Sequence, residues 1–395
     1  MNESAESERL FAGYAGRMFV GVSLAWAVLQ TGRFLLPPLL PAVIDETGIS
    51  VGAAGVVLGV LQLTYAVTQY PSGRYSDAVG RSGFVLGGLL VVAAGFLVLS
   101  ATTTFAVLLA AAAVLGVGKG LYAIPSRALL ADLFTERRGR ALGVYTAGTD
   151  VGGVVAAGVA TVVLASVGWR APFLPIAGVL LALTALLFVW NREPVSGDRP
   201  TLALRATVDR LTTNRRQRET LVAYALLFFM VNGFINFLPT YLTQAKGISP
   251  AAASAGYALV FVVGMVVKPV AGTLSDRFGR ATVSVAGLVL AAVSLVALLL
   301  VGSLAVTVPV VALLAAGYKT QFPLADATLM DAAPTANAGG DLGAARALFL
   351  TVGSLGPVFV GTVAERASYG LAYAGLSVCL VLAAAVLLGS RLRER

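Results

Sequence analysis

The sequence predicts an all-α membrane protein whose twelve transmembrane helices form two pseudo-symmetric six-helix bundles. Three observations indicate this fold class: an apolar composition, twelve long apolar runs, and an internal repeat displaced by 199 residues. Hydrophobic residues make up 58% of the 395 residues and charged residues only 12%, about half of the quarter that is typical of soluble domains. Because a span needs roughly 20 apolar residues, a chain of this length accommodates about a dozen spans.

The apolar runs set the predicted order of spans and segments along the chain. The runs lie near 18–40, 51–72, 83–101, 104–131, 141–165, 171–190, 220–243, 252–271, 282–302, 305–330, 346–364 and 371–390. We therefore expect a polar N-terminal segment (1–17), an N-terminal six-helix bundle (18–190), a linker (191–219), a C-terminal six-helix bundle (220–390) and a short tail (391–395).

The basic residues are distributed unequally between the two ends of these spans. Of the 28 lysines and arginines, 20 lie at the end that carries both termini, 3 lie at the opposite end and 5 lie within spans. The positive-inside rule then predicts a multi-pass protein of the cell membrane with both termini in the cytoplasm. The net charge of +9 invites a nucleic-acid partner, but these residues sit between apolar runs, where membrane orientation requires them. The expected partners are lipid and a small solute, and we expect a monomer.

Several function classes are excluded by what the composition lacks. The chain has no histidine, and Cys379 is its only cysteine, so a histidine proton relay, a cysteine metal cluster and a disulfide are not predicted. No nucleotide-binding loop is present, which argues against a pump driven by ATP. We predict neither an enzyme nor a bound cofactor or metal.

The two halves repeat a loop motif after the second and eighth runs. Gly73-Arg-Tyr-Ser-Asp77-Ala-Val-Gly80-Arg81 recurs 199 residues later as Gly272-Thr-Leu-Ser-Asp276-Arg-Phe-Gly279-Arg280. The same displacement relates Gln69 to Lys268, and Lys119 and Lys319 are offset by 200. Repeated halves in a membrane protein predict two similar bundles with a solute site where they meet.

On this motif, the whole chain resembles the major facilitator superfamily, whose loop signature is Gly-x-x-x-Asp-Arg-x-Gly-Arg. The second copy matches it fully, and the first has Ala78 in place of arginine. The resemblance implies a gating role for Gly73, Asp77, Gly80, Arg81, Gly272, Asp276, Arg277, Gly279 and Arg280, with Asp77 meeting the start of the eleventh span near Arg346. The alternative is that these are ordinary turn residues. The span-five signature of drug antiporters is altered here, since Gly153 follows Gly152 where proline is expected.

Ionisable side chains deep in the spans are the candidate solute-binding residues, because a charge in hydrocarbon requires a partner or a substrate. Arg33, Lys119 and Lys319 are predicted to bind an anion, with Lys119 and Lys319 facing each other across a central cavity. The alternative is that they form internal ion pairs. Asp150 and Asp326 either neutralise the lysines or carry a coupling proton. Polar groups within the spans that add to the predicted site are Tyr65, Tyr122, Asn232 and Asn236. Lys268 is expected near the inner interface, as a gate or headgroup contact.

These residues favour a secondary active transporter that moves a small anion, such as an organic acid or an oxyanion, by alternating access. The basic groups in the spans outnumber the acids, so a cation would be repelled. Proton-coupled efflux of lipophilic or cationic compounds is the alternative within the same fold. A membrane receptor that transports nothing is a third hypothesis, and it provides no reason for paired buried lysines.

Overall fold

The computed structural model describes residues 10–193, 209, 213, 215–332 and 338–393, and in these ranges the regular structure is entirely helical. It contains twelve helices long and apolar enough to cross a membrane, which confirms the predicted fold class. They are α1 (Gly13–Thr47), α2 (Val51–Val79), α3 (Arg81–Ser100), α4 (Phe105–Leu133), α5 (Arg138–Ser166), α6 (Phe173–Trp190), α7 (Arg215–Ala245), α8 (Pro250–Phe278), α9 (Arg280–Leu300), α10 (Leu304–Ala325), α11 (Gly343–Arg366) and α12 (Tyr369–Arg393).

Capping residues mark the ends of several helices. The Ser50 hydroxyl accepts a hydrogen bond from the Ala53 backbone N–H at the start of α2, and Thr104 does the same for Val107 at the start of α4. Gly48 ends α1 in the left-handed conformation, with φ of 66°. This helix end lies seven residues after the predicted end at 40, and α1 begins at Gly13, five residues before the predicted start at 18.

The repeated loop motif forms two very tight connections. Gly80 alone separates α2 from α3, with φ of 125°, and Gly279 alone separates α8 from α9, with φ of 82°. Residues with a side chain rarely adopt such values, so each connection depends on glycine. We call the end of the bundle that carries these two connections and the α4–α5 connection the arginine-rich end.

Two of the predicted spans are interrupted where proline removes a backbone donor. In α10 the helix stops at Lys319 and resumes at Gln321, since Pro323 cannot donate to the Lys319 carbonyl four residues earlier. In α11 the helix stops at Gly353 and resumes at Leu355, because Pro357 cannot donate to the Gly353 carbonyl four residues earlier. Both breaks fall inside runs that the hydropathy pattern predicts as continuous.

Small residues bring helices together in the same way in both halves. A Cβ atom on Gly118 of α4 would lie 3.0 Å from the Gly88 carbonyl oxygen of α3, which shows that the two backbones touch. Gly317 of α10 and Gly287 of α9 repeat this contact 199 residues later, at 2.6 Å. The sequence repeat is therefore also a repeat of helix packing, as expected where close backbone approach holds membrane helices together.

The two halves meet along several pairs of helices, of which three show the contacts most clearly. Gly55 of α2 lies against α11, where a Cβ atom would be 2.5 Å from the Pro357 carbonyl oxygen. Gly153 of α5 faces the Phe261 ring of α8. Between α1 and α7, Arg33 donates to Asn236. These contacts surround the middle of the bundle, where the deep charged residues lie.

The α3–α4 contact yields a test with neighbouring glycines. Gly88→Ala places a methyl group 2.8 Å from the Tyr122 backbone nitrogen, whereas the Cβ of Gly87→Ala meets nothing within 4 Å. We expect Gly88→Ala to lower the stability of the folded protein by about 1–3 kcal/mol, the usual cost of overpacking. Gly87→Ala should leave stability unchanged or slightly raised, because alanine is the better helix former.

Thermal unfolding of the purified protein in detergent measures both variants. Equal unfolding temperatures for Gly88→Ala and Gly87→Ala would contradict close packing of α3 on α4.

Candidate functional site

Arg33 of α1 is buried against the opposite half of the protein. Its Nη2 atom donates to Asn236 Oδ1 on α7 at 3.2 Å, and its guanidinium lies 4.6 Å from the centre of the Phe34 ring. Its Nη1 atom is buried and has no hydrogen-bond partner among the described residues, and the same is true of the Tyr257 hydroxyl nearby. Arg33 therefore has a donor available for a solute.

Lys119 lies at the midpoint of α4, fourteen residues from Phe105 and fourteen from Leu133. Its side chain is 6% exposed, and its ammonium lies over two aromatic rings, 4.1 Å from the centre of Tyr65 and 5.9 Å from that of Trp26. In the part of the chain that the structure describes, no carboxylate is within ion-pair distance of it and no hydrogen-bond acceptor is assigned to it. The electron-rich ring faces partly replace the missing counter-ion.

Trp26 of α1 is held in a fixed position beside Lys119. Its Nε1 atom donates to the Thr149 hydroxyl of α5 at 2.9 Å. Its ring stacks on Tyr145 at 5.3 Å and on Tyr122 at 6.1 Å between centres. The hydroxyls of both tyrosines are engaged elsewhere, Tyr122 donating to the Val22 carbonyl and Tyr145 pairing with Ser126. The rings form a rigid aromatic wall on the N-terminal side of the site.

Asp150 of α5 pairs with two lysines of the other half. Its Oδ1 atom is 2.9 Å from the Lys319 ammonium of α10, and its Oδ2 atom pairs with Lys268 of α8. The carboxylate is 1% exposed, and Gly264 of α8 leaves the room that it and the Lys319 stem occupy. The group ties the two halves together and carries an excess of one positive charge.

Two of the cationic residues occur where proline has weakened the helix. Pro37 cannot donate to the Arg33 carbonyl, and Pro323 cannot donate to the Lys319 carbonyl, each four residues back. Interrupted helices at the meeting of two repeats are the usual setting for solute sites in secondary transporters. In each half, a proline therefore follows a candidate binding residue by four positions.

Among the described side chains at the centre, basic groups greatly outnumber acidic ones. Arg33, Lys119, Arg127, Lys268 and Lys319 face a single described carboxylate, that of Asp150. The Asp326 side chain lies outside the described residues, and even an ionised Asp326 would leave the basic groups in excess. Each unneutralised charge at the centre of a membrane costs about 2.5–3.5 kcal/mol on insertion scales, so the excess of basic groups destabilises the centre when no counter-ion is present.

The predicted site residues fall into three sets. Arg33, Lys119, Tyr65 and Asn236 line the N-terminal part of the centre, as described above. Lys319 joins Asp150 and Lys268 in a separate group, so it is an ion-pair member as well as a candidate ligand. Tyr122 and Asn232 bond to backbone carbonyls, Tyr122 to Val22 and Asn232 to Phe228 of its own helix, which assigns them packing roles in this structure.

The loop-motif residues lie at the arginine-rich end, away from the central charges. Asp77 pairs with Arg81 at 3.3 Å, and Arg81 also pairs with Asp132 at the end of α4, so these contacts stay within one half. The Glu193 carboxylate accepts hydrogen bonds from the Arg81 and Ser82 backbone N–H groups at the start of α3. Although burial opposes its charge, these hydrogen bonds lower the pKa of Glu193. The contact between Asp77 and the start of α11 stays a prediction.

The sequence pattern did not place three residues at the central site. Lys268 was expected at the inner interface but reaches Asp150, because Pro269 and the small Gly264 let α8 bring it inward. Trp26 lies seven residues before Arg33 and Arg127 eight residues after Lys119, spacings that place each on the same helix face as its partner. That spacing is the signal that identifies both.

Comparison with known proteins agrees with this architecture. The family model of the Major Facilitator Superfamily matches residues 22–357 and again residues 220–395. The chain also superimposes on a bacterial homolog of the human lysosomal transporter Spinster in an inward-facing conformation, with a TM-score of 0.80, 17% identity and coverage of 97% of this chain and 98% of that one. At this identity the likeness shows the fold alone.

Curated relatives are named for different solutes. A glycerol-3-phosphate transporter of Bacillus subtilis is 25% identical over 73% of this chain and 68% of its own length. A probable sulfoacetate transporter of Cupriavidus necator is 25% identical over 67% of this chain and 66% of its own, and a chloramphenicol resistance protein of Streptomyces lividans is 28% identical over 67% and 68%. The chain spans about two thirds of the length of these relatives. On the match of the family model, the chain belongs to the Major Facilitator Superfamily of membrane transporters.

Proposed function

We propose that this protein is a secondary transporter of a small organic or inorganic anion. The observation that carries the proposal is the excess of basic groups at the centre, of which Arg33 and Lys119 have no carboxylate partner among the described residues. Both have aromatic neighbours and limited exposure, so an anion there is attracted by charges that water screens poorly. Relatives named for glycerol 3-phosphate and sulfoacetate, both anions, support the same substrate class.

The mode of action follows from the two repeated halves. Residues 18–190 and 220–390 act as two bundles that rock about the centre and expose it to either side of the membrane in turn. The arginine-rich end faces the cytoplasm of a cell membrane, as the positive-inside rule requires, and the protein works as a monomer. No ATP is consumed, so the gradient of the anion or of a coupled ion drives net movement.

Asp150 acts in this scheme as the counter-ion of the C-terminal half. It holds Lys268 and Lys319 close together, and its position on α5 makes that pairing a bond between the halves. An anion that binds near Lys319 competes with Asp150 for the ammonium and thereby loosens the contact between α5 and α10. Solute binding is thus coupled to movement of one half against the other.

The first prediction concerns Lys119. Lys119→Gln keeps the length of the stem but removes the charge, and we expect anion uptake into proteoliposomes to fall at least tenfold while the protein still inserts and folds. The matched control is Arg140→Gln, which removes an equally charged but exposed side chain at the arginine-rich end. Uptake of radiolabelled glycerol 3-phosphate, sulfoacetate and nitrate is measured for the wild type and both variants.

Wild-type uptake rates in Lys119→Gln would eliminate the anion site. If cells expressing the wild type instead gain chloramphenicol resistance and the vesicles take up none of the three anions, the efflux alternative is supported over the anion proposal.

The second prediction concerns the shared carboxylate. Asp150→Asn leaves the buried Lys319 ammonium facing the partly exposed ammonium of Lys268 without a counter-ion. We expect a loss of about 3 kcal/mol of stability, the lower end of the cost of removing one partner of a buried pair. Lys268→Gln leaves a balanced pair of Asp150 with Lys319, so its cost should be clearly smaller. Thermal unfolding in detergent compares the two variants, and a greater loss for Lys268→Gln would contradict the role of Asp150 as a shared counter-ion.

Coupling to protons is a separate proposal, because in a chain without histidine it must use a carboxylate. We expect an inward pH gradient to drive anion accumulation in vesicles, and Asp326→Asn to remove that drive while counterflow persists. Counterflow exchanges labelled for unlabelled solute and needs no net proton movement. An unchanged response to the gradient in both Asp326→Asn and Asp150→Asn would exclude these two carboxylates as the coupling groups.

A further inference from the structure

Arg127 lies on α4 between Lys119 and the arginine-rich end. It follows Lys119 on α4 by eight residues, so the two share a helix face about 12 Å apart along the axis, at 1.5 Å per residue. Arg127 is on the side of Lys119 nearer to the end of α4 at Leu133. The side chain is half-buried, and its Nε atom is buried without a hydrogen-bond partner in the described ranges.

Arg127 and Lys119 both lie against the aromatic wall. The Arg127 guanidinium is 6.0 Å from the centre of the Trp26 ring and 6.0 Å from that of Tyr145. The Lys119 ammonium is 5.9 Å from the centre of the Trp26 ring and lies closer to that of Tyr65, at 4.1 Å. The Trp26 ring is therefore a neighbour of both cations, and its hydrogen bond to Thr149 fixes its position.

Arg127, like Lys119, has no carboxylate partner among the described residues. Ion pairs are assigned to other arginines at this end, such as Arg81 with Asp77 and Asp132, but none of the described carboxylates pairs with Arg127. Lys119 also lies within electrostatic range of both Arg33 and Arg127. Lys119 is thus repelled by two further cations of the N-terminal half, and an anion beside it relieves that repulsion.

We propose that Arg127 binds the transported anion at a second station, on the cytoplasmic side of Lys119. This inference rests on the proposed anion transport and extends it from one site to two. A guanidinium offers several N–H donors in a planar fork, which suits a carboxylate, phosphate or sulfonate group better than a point charge does. An anion leaving Lys119 for the cytoplasm passes to Arg127 before it meets water, so a strongly basic centre need not hold it too long.

A purely packing role for Arg127 predicts different behaviour. If the guanidinium served only to fill space against Trp26 and Tyr145, a neutral side chain of similar bulk would replace it. If it binds the anion in passing, the positive charge itself is required for rapid transport. Equilibrium binding at Arg33 and Lys119 should then change little, because those residues remain.

The single cysteine of the chain makes a charge-rescue experiment direct. In a Cys379→Ser background, Arg127→Cys is reconstituted, and counterflow is measured with glycerol 3-phosphate, sulfoacetate and nitrate before and after thiol modification. We expect the maximal rate with the best transported of these anions to fall at least tenfold. Modification with the cationic 2-aminoethyl methanethiosulfonate should restore a third or more of the rate, and the anionic 2-sulfonatoethyl reagent should restore none. Mass spectrometry measures the extent of modification.

Two further variants keep the result decisive if the thiol is poorly reached. Arg127→Lys should retain a third or more of the wild-type rate, and Arg127→Gln should lose at least tenfold. The affinity of Arg127→Gln for the anion, followed by Trp26 fluorescence in a Trp169→Phe/Trp190→Phe background, should change less than threefold. Arg140→Cys, treated with the same two reagents, is the control and should transport at the rate of its parent throughout.

The outcomes separate this proposal from the one on which it rests. Wild-type protein that moves none of the three anions contradicts both. Wild-type transport that Arg127→Gln leaves unchanged, or equal rescue of Arg127→Cys by the cationic and anionic reagents, overturns only the second station.

Discussion

The cost of placing charge in the middle of a membrane is the constraint on which the rest of this structure depends. Five basic side chains lie in the spans, and the protein meets that cost in two ways. In the C-terminal half, Asp150 supplies one carboxylate to Lys268 and Lys319. In the N-terminal half, Lys119 and Arg127 lie against aromatic faces, and Arg33 reaches an amide of the opposite half. The second solution neutralises nothing, which leaves the site attractive to an anion.

This division of labour explains why the site is built between the halves rather than inside one of them. The Asp150 carboxylate belongs to α5, while the lysines that it neutralises belong to α8 and α10. Likewise Arg33 of α1 donates to Asn236 of α7. Electrostatic contacts and helix contacts therefore cross the same boundary. A solute that changes the charge balance at the centre also changes the force that holds the halves together, which is what a rocking mechanism requires.

Glycine and proline give the helices the geometry that these charges need. The paired contacts of Gly88 with Gly118 and of Gly287 with Gly317 let α3 and α9 pack closely on α4 and α10. Those two helices in turn present Lys119 and Lys319. Pro323 interrupts α10 just beyond Lys319, and Gly264 leaves space beside the Lys319 stem. Small residues and interruptions thus position the cations, and no large side chain at these positions would permit the same arrangement.

The sequence by itself determined the twelve spans, because hydrophobic length is a property of consecutive residues. It also determined the repeat and the depth of Lys119, since a residue fourteen positions from either helix end cannot reach a headgroup. The tertiary structure alone decided which charges meet. Lys268 joins Asp150, and Tyr122 turns its hydroxyl to Val22, because helix rotation and proline breaks set the direction of side chains across helices. Hydropathy contains no information on those rotations. The spacing of Lys119 and Arg127 within one helix is visible in the sequence. The contact of Asp150 with Lys268, 118 residues later on another helix, is not.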